Sequence, residues 1–207
     1  MKDFFGILLQ LFNIFLIGVA LQNPIFIRAF SINIIREYNT ENRRKNFIFA
    51  VFISIAVIFV SVLTYFLKFL LNKKIIKLNI MSNEYLLPLL IIILLTAAYF
   101  AMYFLLRYLL KSDRRFLKTL MVSFFNTTVL GTAILIFKDY DSFFEAVFFA
   151  LGSSLGYYLA LLFVSEGMRR LKRTNIPESF KGLPILLIYI GILSLAVYGL
   201  TGYSLII

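Results

Sequence analysis

The chain has 207 residues, of which 61% are hydrophobic and only 15% charged, with a mean hydropathy of +0.92; an average soluble domain carries about 25% charged residues, so lipid rather than water is the expected solvent. It contains no cysteine and no histidine, which excludes disulfides, thiolate zinc sites, iron–sulfur clusters held by its own thiolates, and the usual general base and imidazole ligand. The net charge of +11 is carried by residues between apolar stretches, a pattern of membrane topology rather than of nucleic-acid binding.

Six apolar stretches follow in order, at about 4–35, 47–71, 85–110, 116–137, 143–165 and 183–206. Each has the roughly 20 residues needed to cross a hydrocarbon core of about 30 Å. Backbone groups in that core must pair within their own segment, so helices are expected. Tyr85, Tyr140, Tyr198 and Tyr203 fall near predicted ends, as interfacial anchors do.

The first stretch opens with Met1-Lys2 and contains Gly18-Val19-Ala20, a secretory-signal pattern. Asn13 within the run, and apolar residues resuming after Pro24, favour a first membrane helix. It is too long for one straight span, and Gln22-Asn23-Pro24 marks a break, because proline removes a donor and restricts the residue before it. Arg28, just beyond, either snorkels to the interface or lines a cavity. The fourth stretch has its own polar interruption, Asn126-Thr127-Thr128, followed by Gly131. The fifth contains Gly152-Ser153-Ser154-Leu155-Gly156, a small-xxx-small pattern for close helix packing, with Glu145 and Glu166 near its ends. The following Arg169-Arg170-Leu171-Lys172-Arg173 reads as a topology signal, with anionic-lipid binding as the other reading.

Loop charges set the orientation. Fifteen positive residues, grouped around 28–45, 107–118 and 169–181, fall on one side; six, Lys2, Lys68, Lys73, Lys74, Lys77 and Lys138, fall on the other. The richer side is expected to be cytoplasmic, which places both termini outside the cell (inner or plasma) membrane. Asn23 and Asn126 are 103 residues apart, half the chain. Three helices per half make the halves opposite in orientation. The expected fold is therefore all-α and integral to the membrane, a single domain of residues 1–207. It comprises six transmembrane helices as two inverted three-helix repeats, about 1–103 and 104–207, with the first and fourth helices broken near the midplane. Either break alone reads as a packing feature. The matched pair points to a functional midplane site built from Asn23, Pro24, Asn126, Thr127, Thr128 and Gly131, with Gly152 and Gly156 as helix-packing residues.

Ile176-Pro177-Glu178-Ser179-Phe180-Lys181-Gly182 resembles the V-P-x-x-F-[RK]-G of the Rnf/Nqr family of ion-translocating electron-transport complexes. The likeness continues through Ile185, Ile188 and Gly191-Ile192-Leu193-Ser194-Leu195-Ala196 to Gly199 and Gly202. Upstream, Gly152-Ser153-Ser154-Leu155-Gly156-Tyr157 is similar to its G-x-[SA]-[AS]-[VL]-G-[FY], and Asn126 with Val129-Leu130-Gly131 to its N-C-A-V-L-G. In the first half the likeness rests mainly on Asn13 and Pro24. The predicted outside N-terminus suits the Rnf A-type (Nqr E-type) subunit. The resemblance implies six helices, two of them broken. It also implies a sister membrane subunit with which a [2Fe–2S] cluster is held inside the membrane, and electron transfer coupled to sodium or proton movement. The family's two cluster cysteines fall at Asn23 and Thr127, and a glycine it expects falls at Ile27. Neutral amide and hydroxyl oxygens do not replace soft thiolates, so no cofactor is expected on this chain alone, no metal ligand stands out and no catalytic residue is named.

The reading is a membrane subunit of an Rnf/Nqr-like complex without its own cluster, at most a non-catalytic part of a translocase. Its partners would be the sister subunit, other complex subunits and the lipid bilayer, with no nucleic acid. The alternative is a cysteine-free paralogue that transports an ion or small solute through the polar midplane. A purely structural scaffold is a third.

Overall fold

The computed structural model describes residues 2–31, 43–72, 86–109, 114–171 and 174–201. Tyr85, Tyr203, Gly202, Arg36, Lys73, Lys74, Lys77, Lys111, Lys172 and Arg173 lie outside the described residues. Helix α1 (Lys2–Leu16) runs into a π-helical turn, Ile17–Leu21. Next come α2 (Arg43–Asn72) and α3 (Leu86–Phe104), the latter prolonged by a π turn at Leu105–Leu109. A short α4 (Arg114–Phe124) leads into α5 (Thr127–Asp139). The long α6 (Phe143–Leu171) and α7 (Leu183–Thr201) complete the order, joined through a 3-10 turn at Glu178–Phe180. There is no strand among the described residues.

Among the described residues, three helical segments are long and apolar enough to cross a membrane: Phe47–Leu71, Leu86–Tyr108 and Phe143–Leu171. A fourth arises if Phe116–Phe124 and Thr127–Asp139, bent by 43° at their junction, count as one broken span. Phe5–Leu21 and Leu183–Gly199 are shorter apolar helices.

Helices α2 and α6 form the centre. Along α2 the buried positions Phe49, Ile53, Ala56, Val57, Val60 and Thr64 recur at helical spacing. Along α6 the buried stripe is largely small: Ala146, Ala150, Gly152, Ser153, Gly156 and Ala160. Between helices in lipid there is little hydrophobic driving force, so close van der Waals packing must hold them, and small residues permit it. Helix α3 buries only Leu87, Ile91, Leu95 and Ala98, one residue per turn. Its Leu89, Ile92, Ile93 and Phe100 are exposed, a surface fit for acyl chains. Helix α7 is peripheral, anchored by buried Leu186 and Ile190 and by Tyr189 stacked over Gly167.

Lys68 on α2 is the one buried charge among the described residues, 6% exposed. Its ammonium donates to the Tyr140 carbonyl at the C-terminus of α5 (2.8 Å) and pairs with Asp141 (2.7 Å). The carbonyls at a helix end lack intrahelical partners and carry partial negative charge, which suits a cation. Burial, then Asp139 and Glu145, push the Tyr140 phenol up to about 12, so it stays neutral. Lys68→Met should therefore cost about 1–3 kcal/mol, because it orphans a buried carbonyl. Asp141, whose side chain is 90% exposed, should cost only about 0–1 kcal/mol when changed to Asn. Thermal unfolding in detergent measures both, and equal losses would contradict the assignment.

Candidate functional site

The two interruptions of the helices lie against each other. After Leu21 the chain leaves α1 and turns back on itself over residues 22–31. Ile27 N–H and Arg28 N–H donate to the Asn23 carbonyl, and Phe30 N–H to the Pro24 carbonyl (2.7 Å). This turn places Ala29 and Ser31 at φ 55° and 63°, a left-handed backbone that costs a non-glycine residue about 1–2 kcal/mol. Arg28 points outward and is exposed.

Asn23 is buried and uses its whole amide. Nδ2 donates to the carbonyls of Val19 (2.9 Å) and of Gly156 on α6 (3.0 Å). Oδ1 accepts from Ile25 N–H (3.0 Å) and Phe26 N–H (3.1 Å). Two donors and two acceptor sites are the capacity of the side chain. It thus closes the end of the first helix, starts the turn and ties both to α6.

The second interruption is capped in the same way. Asn126 is the N-cap of α5, its extended backbone breaking the helix after Phe124 while Oδ1 accepts from Thr128 N–H (2.9 Å). The two breaks join at Ser31. Its hydroxyl donates to Asn126 Oδ1 and lies 2.7 Å from Thr128 Oγ1, and its N–H donates to Thr127 Oγ1 (2.8 Å). Phe30 lies over Gly131, where a Cβ would come within 2.1 Å of the ring. Residues 22–31 thus touch α5 through Phe30 and Ser31, and α6 through Asn23.

Glycines set how closely α1 approaches α6. A Cβ on Gly152 would lie 2.2 Å from the Phe15 carbonyl oxygen, and one on Gly156 2.8 Å from that of Val19. On the facing side, a Cβ on Gly18 would lie 2.9 Å from the Phe149 carbonyl oxygen. Sequence reasoning missed Ser31, Phe30 and Gly18. Ser31 carries no motif, and a lone serine among Ala29, Phe30 and Ile32 gives no periodic signal. The Gly18-Val19-Ala20 run carries a signal only as a cleavage-like pattern.

The chemistry of these groups is restricted. The side-chain oxygens of Asn23, Asn126 and Thr127 accept bonds from neighbouring N–H or O–H groups, and Thr128 Oγ1 bonds Ser31, which leaves a cation few oxygens to coordinate. Two buried groups, Asn126 Nδ2 and the Tyr157 hydroxyl, make no hydrogen bond of good geometry among the described residues. On the outer side, Thr127 is exposed next to a hollow of about 130 Å³ lined also by Ile92, Leu95, Phe125, Asn126 and Leu130. No group of three or more acidic, histidine or cysteine side chains placed to hold a metal ion exists among the described residues.

The family model for the Rnf-Nqr subunit, a membrane protein, matches residues 11–204. The chain belongs to this family. A protein from Aromatoleum aromaticum, named as the A subunit of an ion-translocating oxidoreductase complex, is 42% identical over 77 residues, covering 37% of this chain and 40% of that protein. The protein of the same name in Colwellia psychrerythraea is 38% identical over an alignment of the same length and coverage. The chain thus spans about two fifths of the length of the curated relatives it matches. The [2Fe–2S] cluster that the family likeness brings with it does not fit the residues present. At Asn23 the amide is saturated by protein groups, and at Thr127 a hydroxyl already accepts from Ser31 N–H; neither offers a thiolate.

Replacing Asn23 with Ala should be severe, because it strands Ile25 N–H and Phe26 N–H at about 1–3 kcal/mol for each buried group and removes the tie to the Gly156 carbonyl. Chemical or thermal unfolding in detergent reads the loss. A change within about 0.5 kcal/mol of the parent, as for an ordinary surface substitution, would contradict the role assigned to the amide.

Proposed function

We propose that the chain is a membrane subunit of an Rnf/Nqr-like ion-translocating electron-transport complex and holds no iron–sulfur cluster of its own. The family match over residues 11–204 carries this reading. The names of the relatives support it, and the saturated amide at Asn23 supports the absence of a cluster ligand.

In this reading the six apolar segments cross the inner membrane as two inverted three-helix repeats, about 1–103 and 104–207, of one domain. The first and fourth spans break near the midplane and both termini lie outside. The 43° bend before α5 and the hydrogen bonds from Ser31 to Asn126 and Thr127 support a meeting of the two breaks. In the proposed site Asn23, Pro24, Asn126, Thr127, Thr128 and Gly131 form a closed polar joint, and Gly152 and Gly156 seat the first helix on α6. The joint is built from amide and hydroxyl groups, with no carboxylate, imidazole or thiolate among the residues named. Its contribution is a fixed wall against which a sister membrane subunit packs.

Purification from native membranes, with identification of co-eluting proteins and iron analysis, tests the proposal. The chain should elute with redox-bearing subunits of the complex and with its membrane sister, and Thr127→Val should leave iron per complex unchanged. A lone, colourless protein would contradict the complex, and loss of iron in Thr127→Val would contradict the cluster-free assignment.

A further inference from the structure

An open groove of about 680 Å³ lies between the start of α2 and the C-terminal half of α6. Phe47 lines it from α2, and Tyr158, Leu162, Phe163, Ser165 and Glu166 line it from α6. Phe47 and Tyr158 meet in an edge-to-face contact, ring centroids 5.7 Å apart. From Tyr158 to Glu166 the groove follows about 12 Å of helix. It is almost wholly apolar along this length and becomes charged only at the end nearest the last turn of α6, which carries Arg169 and Arg170.

The charged end has a definite arrangement. Glu166, the one acid in the lining, is paired with Arg169 through a direct ion pair. Arg170 is held only loosely, its Nε 3.9 Å from Glu166 and its side chain 82% exposed. The Glu166 charge is therefore offset within the helix, and a guanidinium projects beyond the apolar groove. A guanidinium fork matches a phosphate diester, and the cytoplasmic leaflet, which the charge distribution assigns to this end, supplies anionic headgroups.

We infer that this groove is a binding site for one anionic phospholipid, its acyl chain lying along Tyr158, Leu162 and Phe163 and its phosphate held by Arg170 with Arg169. An apolar partner helix would fill the groove equally well but gives no reason for a projecting guanidinium at its mouth. The site is separate from the joint between the chain breaks and does not depend on which complex the chain serves.

The test is native mass spectrometry of the full-length protein exchanged into micelles with equal phosphatidylglycerol and phosphatidylcholine. The parent should retain phosphatidylglycerol preferentially. Each arginine removed in Arg170→Gln and in the Arg169→Gln/Arg170→Gln pair should lower that retention about fivefold, the factor implied by the usual attraction of a basic residue to an anionic surface. Leu162→Trp, which fills the groove, should lower retention of both lipids. For a measurement that needs no variant, a photoreactive acyl chain on phosphatidylglycerol should label the parent between Tyr158 and Phe163. Equal retention of the two lipids by the parent, unchanged phosphatidylglycerol retention in the arginine pair, or labelling confined to other helices would each overturn the inference.

Discussion

A chain that leaves the helical conformation inside a lipid-facing bundle must satisfy its freed backbone groups from within the protein. No water is present to do so, and each unpaired group costs several kcal/mol. The architecture follows from meeting that demand twice. At the first break the Asn23 side chain bonds Ile25 N–H, Phe26 N–H and the Val19 and Gly156 carbonyls. At the second the Asn126 side chain bonds Thr128 N–H. Ser31 then makes the two solutions interdependent, because Asn126 and Thr127 are its partners as well as the start of α5.

This interdependence accounts for backbone that would otherwise be costly. Ala29 and Ser31 hold positive φ values without being glycine, and such conformations persist where surrounding contacts over-determine them. The contacts are on hand: Phe30 fills the space over Gly131, and Ser31 is held at both its N–H and its hydroxyl. The small residues of α6 serve the same end. By admitting α1 at backbone contact, Gly152 and Gly156 bring the Gly156 carbonyl within reach of Asn23. In the family to which the chain belongs, the resemblance places cysteines where Asn23 and Thr127 stand. Here an amide and a hydroxyl take those places and are engaged in hydrogen bonds within the protein.

Much of this was readable from residue order. The helical nature of the chain and the interruptions at Gln22–Pro24 and Asn126 each leave a signature, proline by removing a backbone donor and asparagine by capping the turn that follows. Helix α6 runs past the apolar stretch that ends near residue 165 to Leu171, where Glu166 and Arg169 form an i,i+3 ion pair that favours the helical turn. Hydropathy alone is blind to that extension. The role of Lys68 was equally hidden: as a charge near a helix end it counts toward topology, and only the fold brings it to the Tyr140 carbonyl. Ser31 is the clearest case, since its importance lies in a left-handed backbone and in partners about 95 residues away, neither of which local sequence encodes.

The central claim is an energetic link between the two chain breaks, and a double-mutant cycle on Ser31→Ala and Thr128→Val measures it most directly. Each change removes one hydroxyl of the 2.7 Å contact and leaves the helix ends in place. Unfolding free energies in detergent should show the pair to be non-additive by about 0.5–3 kcal/mol, the range for residues in one hydrogen-bond network. Losses that simply add, within about 0.3–0.5 kcal/mol, would mean that the two breaks are satisfied separately and would contradict the account.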